Sequence, residues 1–183
     1  IMEYSEKSLE SFFQIFKRYM TSGTSVNEII ANKCKTLNIT KNDNLTEIPD
    51  LVAFTALTTL KINNNDDLIK ISNLPALTTL EINDNHDLLY ICDLSLLTTL
   101  TTLKINNNIY LSKISNLSDL TVLTTLEITE NDDLKTIPDL SALVALTTLK
   151  INNNQDLTII PDLLTLTALT TLEITGNDDL TKI

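Results

Sequence analysis

From Thr36 onward the apolar positions follow one short pattern, used again and again. Leu and Ile alternate with polar residues in stretches such as Leu103-Lys104-Ile105 and Leu126-Glu127-Ile128. Alternation of period two is the mark of a strand with one buried face, so Leu and Ile point to one side. Each stretch is followed by a polar pair around an Asn and then by further apolar positions. Aligning the chain on itself yields seven copies, centred on Leu37, Leu60, Leu80, Leu103, Leu126, Leu149 and Leu172, at spacings of 23, 20, 23, 23, 23 and 23 residues. The template is L-x-I-x-x-N-x-x-L-x-x-I-x-D/N-L, led by Leu-Thr-Thr. One supersecondary unit repeated at such a period stacks into a solenoid, because a single unit cannot bury its own apolar face.

Two polar positions recur with the strands. Asn42, Asn65, Asn85, Asn108, Asn131, Asn154 and Asn177 stand once per copy at the strand end. An amide buried there satisfies backbone groups where the chain turns, so these residues read as a structural ladder. Asp50, Asn73, Asp93, Asn116, Asp139 and Asp162 precede Leu-rich stretches. Asp and Asn favour helix N-caps, so each is expected to start a short 3₁₀ or helical turn. The second copy is three residues short with its strand template intact, so its far side is expected to shrink.

The template resembles the leucine-rich-repeat family, and its Leu-Thr-Thr-Leu strand starts and short far-side segments resemble the bacterial, internalin-like type. The resemblance covers residues 36–183. It implies an α/β solenoid: a right-handed curved horseshoe with one parallel strand per repeat and short 3₁₀, helical or irregular convex segments. The sequence departs from the commonest form in having two residues between the Asn and the next Leu. The family's usual ligand surface is the concave strand face.

Residues 1–35 lie outside the repeat. Leu9, Phe12, Phe13, Phe16 and Met20 have helical spacing, Gly23 is a stop, and Ser25 with Glu28 makes a capping-box pattern. A helical N-terminal cap over the first repeat is expected, with an amphipathic helix for a membrane or partner as the rival reading. At the other end no cap follows the last repeat, so further chain or another copy is expected to cover it. Self-association there is one expectation.

Charge narrows the partners. The net charge is −11; residues 1–35 carry five basic and four acidic groups, leaving eight basic and twenty acidic on the repeats. Such a surface repels phosphate, which argues against nucleic acid and anionic membrane. No apolar run reaches the roughly 18 residues of a membrane span. Cys34 and Cys92 fall two repeats apart, about 10 Å by strand spacing, so both read as free thiols. One His (His86), two Gly and no Cys–His pairing leave no catalytic constellation and imply no metal or cofactor.

Three surface features remain. Between the strand Leu and Ile the outward residue alternates in sign: Lys61, Glu81, Lys104, Glu127, Lys150 and Glu173, a charge ladder that sets register. An acidic edge follows the asparagines, at Asp66, Asp67, Asp87, Asp132, Asp133, Asp156, Asp178 and Asp179, with a spacing unlike calcium loops. That edge is interrupted by His86 in the third repeat and by Ile109 and Tyr110 in the fourth, with Tyr90 nearby. These four are expected to cluster on one rim as a contact patch. The leading function is a non-catalytic protein-binding module of a larger surface or effector protein. A self-assembling structural solenoid and the recognition arm of an effector enzyme are the alternatives. Three sequons (Asn38-Ile-Thr40, Asn44-Leu-Thr46, Asn116-Leu-Ser118) fit a secreted origin, yet an Asn- and Thr-rich chain forms them by chance.

Overall fold

The computed structural model describes residues 2–4, 33–42, 45–48, 51, 54–71, 74, 77–92 and 94–182. Eleven strands run in order: β1 (Met2–Tyr4), β2 (Thr36–Thr40), β3 (Thr59–Asn63), β4 (Lys70–Ile71), β5 (Thr79–Asn83), β6 (Tyr90–Ile91), β7 (Thr102–Asn106), β8 (Lys113–Ile114), β9 (Thr125–Thr129), β10 (Thr148–Asn152) and β11 (Thr171–Thr175). All pairings between them are parallel. One sheet has eight strands in the order β1-β2-β3-β5-β7-β9-β10-β11, and β4-β6-β8 form a small second sheet. The register has no slips: Leu pairs with Leu and Ile with Ile from repeat to repeat, as Leu103 with Leu126 and Ile105 with Ile128. A one-residue slip would turn every strand Leu to solvent, so the alternation itself fixes the stacking.

In β7 and β9 the Leu and Ile are buried and the three other residues half-buried. Beyond the strand the core continues at every third residue: Leu134, Ile137, Leu140, Leu143 and Leu146, all between 0% and 6% exposed. Each fully buried Leu or Ile contributes about 1.5–3 kcal/mol by leaving water. Identical residues stacked at strand spacing favour slim branched side chains, which accounts for a core built almost wholly of Leu and Ile.

Among the described residues the one Phe, buried in the core, marks an irregularity. The 20-residue repeat keeps its strand, its Asn65 and β4, then passes from Leu74 through Leu77 to Leu80, one triplet short. The absent member belongs to the column Phe54, Leu97, Leu120, Leu143 and Leu166, and Phe54, 1% exposed, stands next to that gap.

The far side differs from the expected 3₁₀ segments. Among the described residues no 3₁₀ or α-helix occurs; linked turns run instead, with Leu143 N–H donating to the Leu140 carbonyl and Leu146 N–H to that of Leu143, both at 2.9 Å. A 3₁₀-helix bonds at consecutive residues, whereas here only each third N–H faces inward, with its Leu. The capping residues still act locally: Asp139 accepts from Ser141 N–H at 3.0 Å, Asp162 from Leu164 N–H at 2.8 Å, and Asn116 from Ser118 N–H at 3.0 Å. Asp50, Asn73 and Asp93 lie outside the described residues, as do the helix expected over Leu9–Met20 and the Ser25–Glu28 capping box. Ahead of that segment, Met2–Tyr4 forms a strand that pairs with β2.

Candidate binding surfaces

The asparagines are committed to the fold. Asn131 is fully buried; its Nδ2 donates to the carbonyls of Thr129 and Ile105, both at 2.9 Å, and to Asn154 Oδ1 at 3.3 Å. Its Oδ1 accepts from the backbone N–H and Nδ2 of Asn108, each at 3.2 Å. The same pattern links Asn65, Asn85 and Asn108. After each Asn the chain makes a β-turn, as where Leu134 N–H donates to the Asn131 carbonyl. The two residues between Asn and Leu, the departure noted in the sequence, are the central residues of that turn.

The residue before each Asn carries the reversal. Lys41, Asn64, Asp84, Asn107, Glu130 and Asn153 hold left-handed backbone with φ of 53–57°, and Gly176 takes the same place at 65°. Asn and Asp tolerate this region through local hydrogen bonds; Lys41 and Glu130 have no such help and carry strain.

The strand face is bound to itself. Lys61–Glu81, Lys104–Glu127 and Lys150–Glu173 form ion pairs at 2.8, 2.9 and 3.1 Å. Although each interior Lys lies in register between two Glu, it pairs with the one that follows. Beside this column runs an amide row that the sequence reading passed over: Asn83 Nδ2 donates to Asn63 Oδ1 at 2.8 Å, Asn106 Nδ2 to Asn83 Oδ1 at 3.0 Å, and Thr129 Oγ1 to Asn106 Oδ1 at 2.8 Å. The first Thr of each Leu-Thr-Thr has a comparable task. Thr124 donates through its N–H at 2.9 Å and its Oγ1 at 3.0 Å to the Thr101 carbonyl, which also accepts Thr125 N–H. Recurrence of Asn or Thr at these places was the available signal.

The rim holds the turn residues. His86 and Ile109 occupy the same turn position in adjacent repeats and Tyr110 the next one, while Ile109's carbonyl accepts Asp133 N–H at 3.0 Å. His86 Nδ1 lies 3.2 Å from Asp66 Oδ1. Tyr90 sits apart from these three, on β6, with Lys70 and Lys113 as its register partners. Tyr110 is 49% exposed and Tyr90 42%. Ile69 of the second repeat, 46% exposed, and half-buried Leu89 of the third share one column, the Leu89 N–H donating to the Ile69 carbonyl at 2.9 Å. Other repeats carry Thr, Ser or Lys in that column, so these two were a weak signal in sequence.

Both cysteines are free thiols, Cys34 buried and Cys92 half-buried. Burial pushes the Cys34 thiol above its ordinary pKa, against the opposing effect of backbone hydrogen bonding from Thr36. Among the described residues, no group of three or more His, Cys, Asp or Glu side chains is placed to hold a metal ion. Nor is any helix among them long and apolar enough to cross a membrane.

The in-register parallel strands, the leucine columns and the buried asparagine ladder give the described residues the fold of a leucine-rich-repeat solenoid. No family model matches the chain, and no curated protein matches it either. Among solved structures it is similar to the leucine-rich repeat domain of the type III effector XopL, at 15% identity and a TM-score of 0.45, covering 93% of this chain and 76% of that one. It is also similar to an internalin (inlF) from Listeria monocytogenes, at 22% identity and a TM-score of 0.32, covering 87% of this chain and 63% of that one.

Proposed function

We propose that residues 36–183 form a non-catalytic protein-binding module, with residues 1–35 as its capping segment, and that its contact site is the rim of the third and fourth repeats. The supporting observation is exposed Tyr110 beside Ile109 on the fourth repeat, with exposed Tyr90 on the short sheet of the third, on a solenoid whose other turns carry mostly Asp. Aromatic anchors of this kind dominate protein interfaces. The strand face is the weaker candidate. Its Lys and Glu neutralise each other in pairs, the amides of Asn63, Asn83 and Asn106 are bonded to neighbouring repeats, and its outward columns hold no Trp, Tyr or Arg.

The test is capture from lysate by the whole chain, compared with the Tyr90→Asp, Tyr110→Asp double variant. A protein partner retained by the parent and lost by a folded double variant supports the reading. A partner captured equally by both moves the site elsewhere. Recovery of the chain alone favours the self-assembling solenoid.

A further inference from the structure

The rim also says what kind of partner fits it. The fourth repeat's turn, Ile109-Tyr110, interrupts a line of carboxylates: Asp84 and Asp87 stand on the third repeat before it, and Glu130, Asp132 and Asp133 on the fifth repeat after it. Asp87, Glu130 and Asp133 are exposed; Asp84 and Asp132 are half-buried, and Asp84 Oδ1 accepts from Asn107 Nδ2 at 2.7 Å. Tyr110 therefore stands out of an acidic rim as an apolar island with negative charge on both sides. Lys70 and Lys113 lie on the neighbouring short sheet as register partners of Tyr90, and exposed Lys135 follows Asp133 by two residues on the fifth repeat.

Resting on the rim reading above, we propose that this stretch receives an extended, basic segment of a protein partner, with Lys or Arg residues on either side of an apolar side chain. Three arguments from the geometry support it. Turns two repeats apart are separated by about 10 Å, and an extended chain rises about 3.3 Å per residue with alternate side chains on one face. Basic residues four apart, with the apolar residue midway, therefore share the face that meets both carboxylate groups, their flexible side chains closing the difference of about 3 Å. The apolar residue between them lies over Ile109 and Tyr110, and the tyrosine ring also accepts a cation on its face. A second copy of this rim is repelled by its own charge, as is a nucleic acid or an anionic lipid surface.

Random-peptide phage display against the whole chain tests this, followed by fluorescence anisotropy of the selected peptide. Selected peptides are expected to carry Lys or Arg spaced about an apolar residue. The triple variant Asp87→Asn, Asp132→Asn, Asp133→Asn is expected to weaken binding about tenfold and flatten its salt dependence. Tyr110→Ser is expected to weaken it as well, while Lys104→Gln with Glu127→Gln on the strand face leaves it unchanged; circular dichroism confirms that each variant is folded. Acidic or neutral peptides that are nonetheless lost with Tyr110→Ser overturn the basic partner and keep the rim site. Peptides indifferent to both rim variants, or a selection that enriches nothing, overturn both.

Discussion

Asn108→Ala removes one rung from the middle of the asparagine ladder. The side chain is fully buried, and its Nδ2 donates to the carbonyls of Ile82 and Asn106, each at 3.0 Å, and to Asn131 Oδ1 at 3.2 Å. Its Oδ1 accepts from the N–H and Nδ2 of Asn85, both at 3.1 Å. Some partners have a substitute: the Asn106 carbonyl keeps the Asp84 N–H, and Asn85 Nδ2 keeps the carbonyls of Ile62 and Asn83. The Asn85 N–H loses its side-chain acceptor in a site closed to water. One orphaned buried donor costs about 1–3 kcal/mol, and two further lost bonds add roughly 1 kcal/mol each, so the total is about 3–5 kcal/mol. The control is Asn177→Ala, where the amide makes analogous bonds but is half-buried, so water replaces it at a cost of about 1 kcal/mol. Guanidinium unfolding followed by circular dichroism measures both. Equal costs at the two positions, or a cost below about 1 kcal/mol at Asn108, would refute the reasoning that burial makes the ladder decisive.

Glu130→Gly relieves a left-handed residue at φ 57°; after the extra entropy of the unfolded chain, a gain of about 0.5–1 kcal/mol is expected, and a lower denaturation midpoint would count against the strain assigned there. Glu127→Lys breaks the 2.9 Å pair with Lys104 and sets three positive charges on adjacent strands, for a loss of about 1–2 kcal/mol at low salt. High salt should recover most of that loss, and indifference to salt contradicts the electrostatic account. Phe54→Ala should cost about 3–5 kcal/mol by thermal unfolding, because the ring stands beside the column's gap, and a near-neutral result means the short repeat closes the space by itself. Hydrogen bonds from the Ser141 hydroxyl and N–H hold the Asp139 carboxyl below its ordinary pKa. The group therefore favours the folded state above its unfolded pKa, an effect lost as pH falls through the folded value. In Ser141→Ala a carboxyl NMR titration should show that pKa rise.

The leucine columns and the asparagine ladder were legible because a repeat states the same position seven times, and burial of Leu103 or Asn108 is then read from its copies. What the repeat does not state is which atoms bond. The row Asn63–Asn83–Asn106 and the Thr124 hydroxyl recur as polar positions, and recurrence alone does not say that they bond from repeat to repeat. The left-handed place was hidden because Lys41 and Glu130 are not residues that advertise it. The expected 3₁₀ turns came from the capping rule, which holds at Asp139 and Asp162, but the triplet spacing of Leu140, Leu143 and Leu146 produces separate turns. The N-terminal segment occurs once, so no copy checks its reading. At the rim the signal was the break in pattern at His86, Ile109 and Tyr110; Ile69 and Leu89 stayed unnoticed in a column that already mixes Thr, Ser and Lys.

The most direct measurement on the binding-module reading is site-specific photo-crosslinking. A photoreactive phenylalanine analogue replaces Tyr110 on the rim in one preparation and Lys104 on the strand face in another, and each is irradiated in lysate. The account predicts one protein cross-linked from position 110 and little from position 104. Cross-links that arise from position 104 alone, or that join only copies of the chain itself, would contradict it.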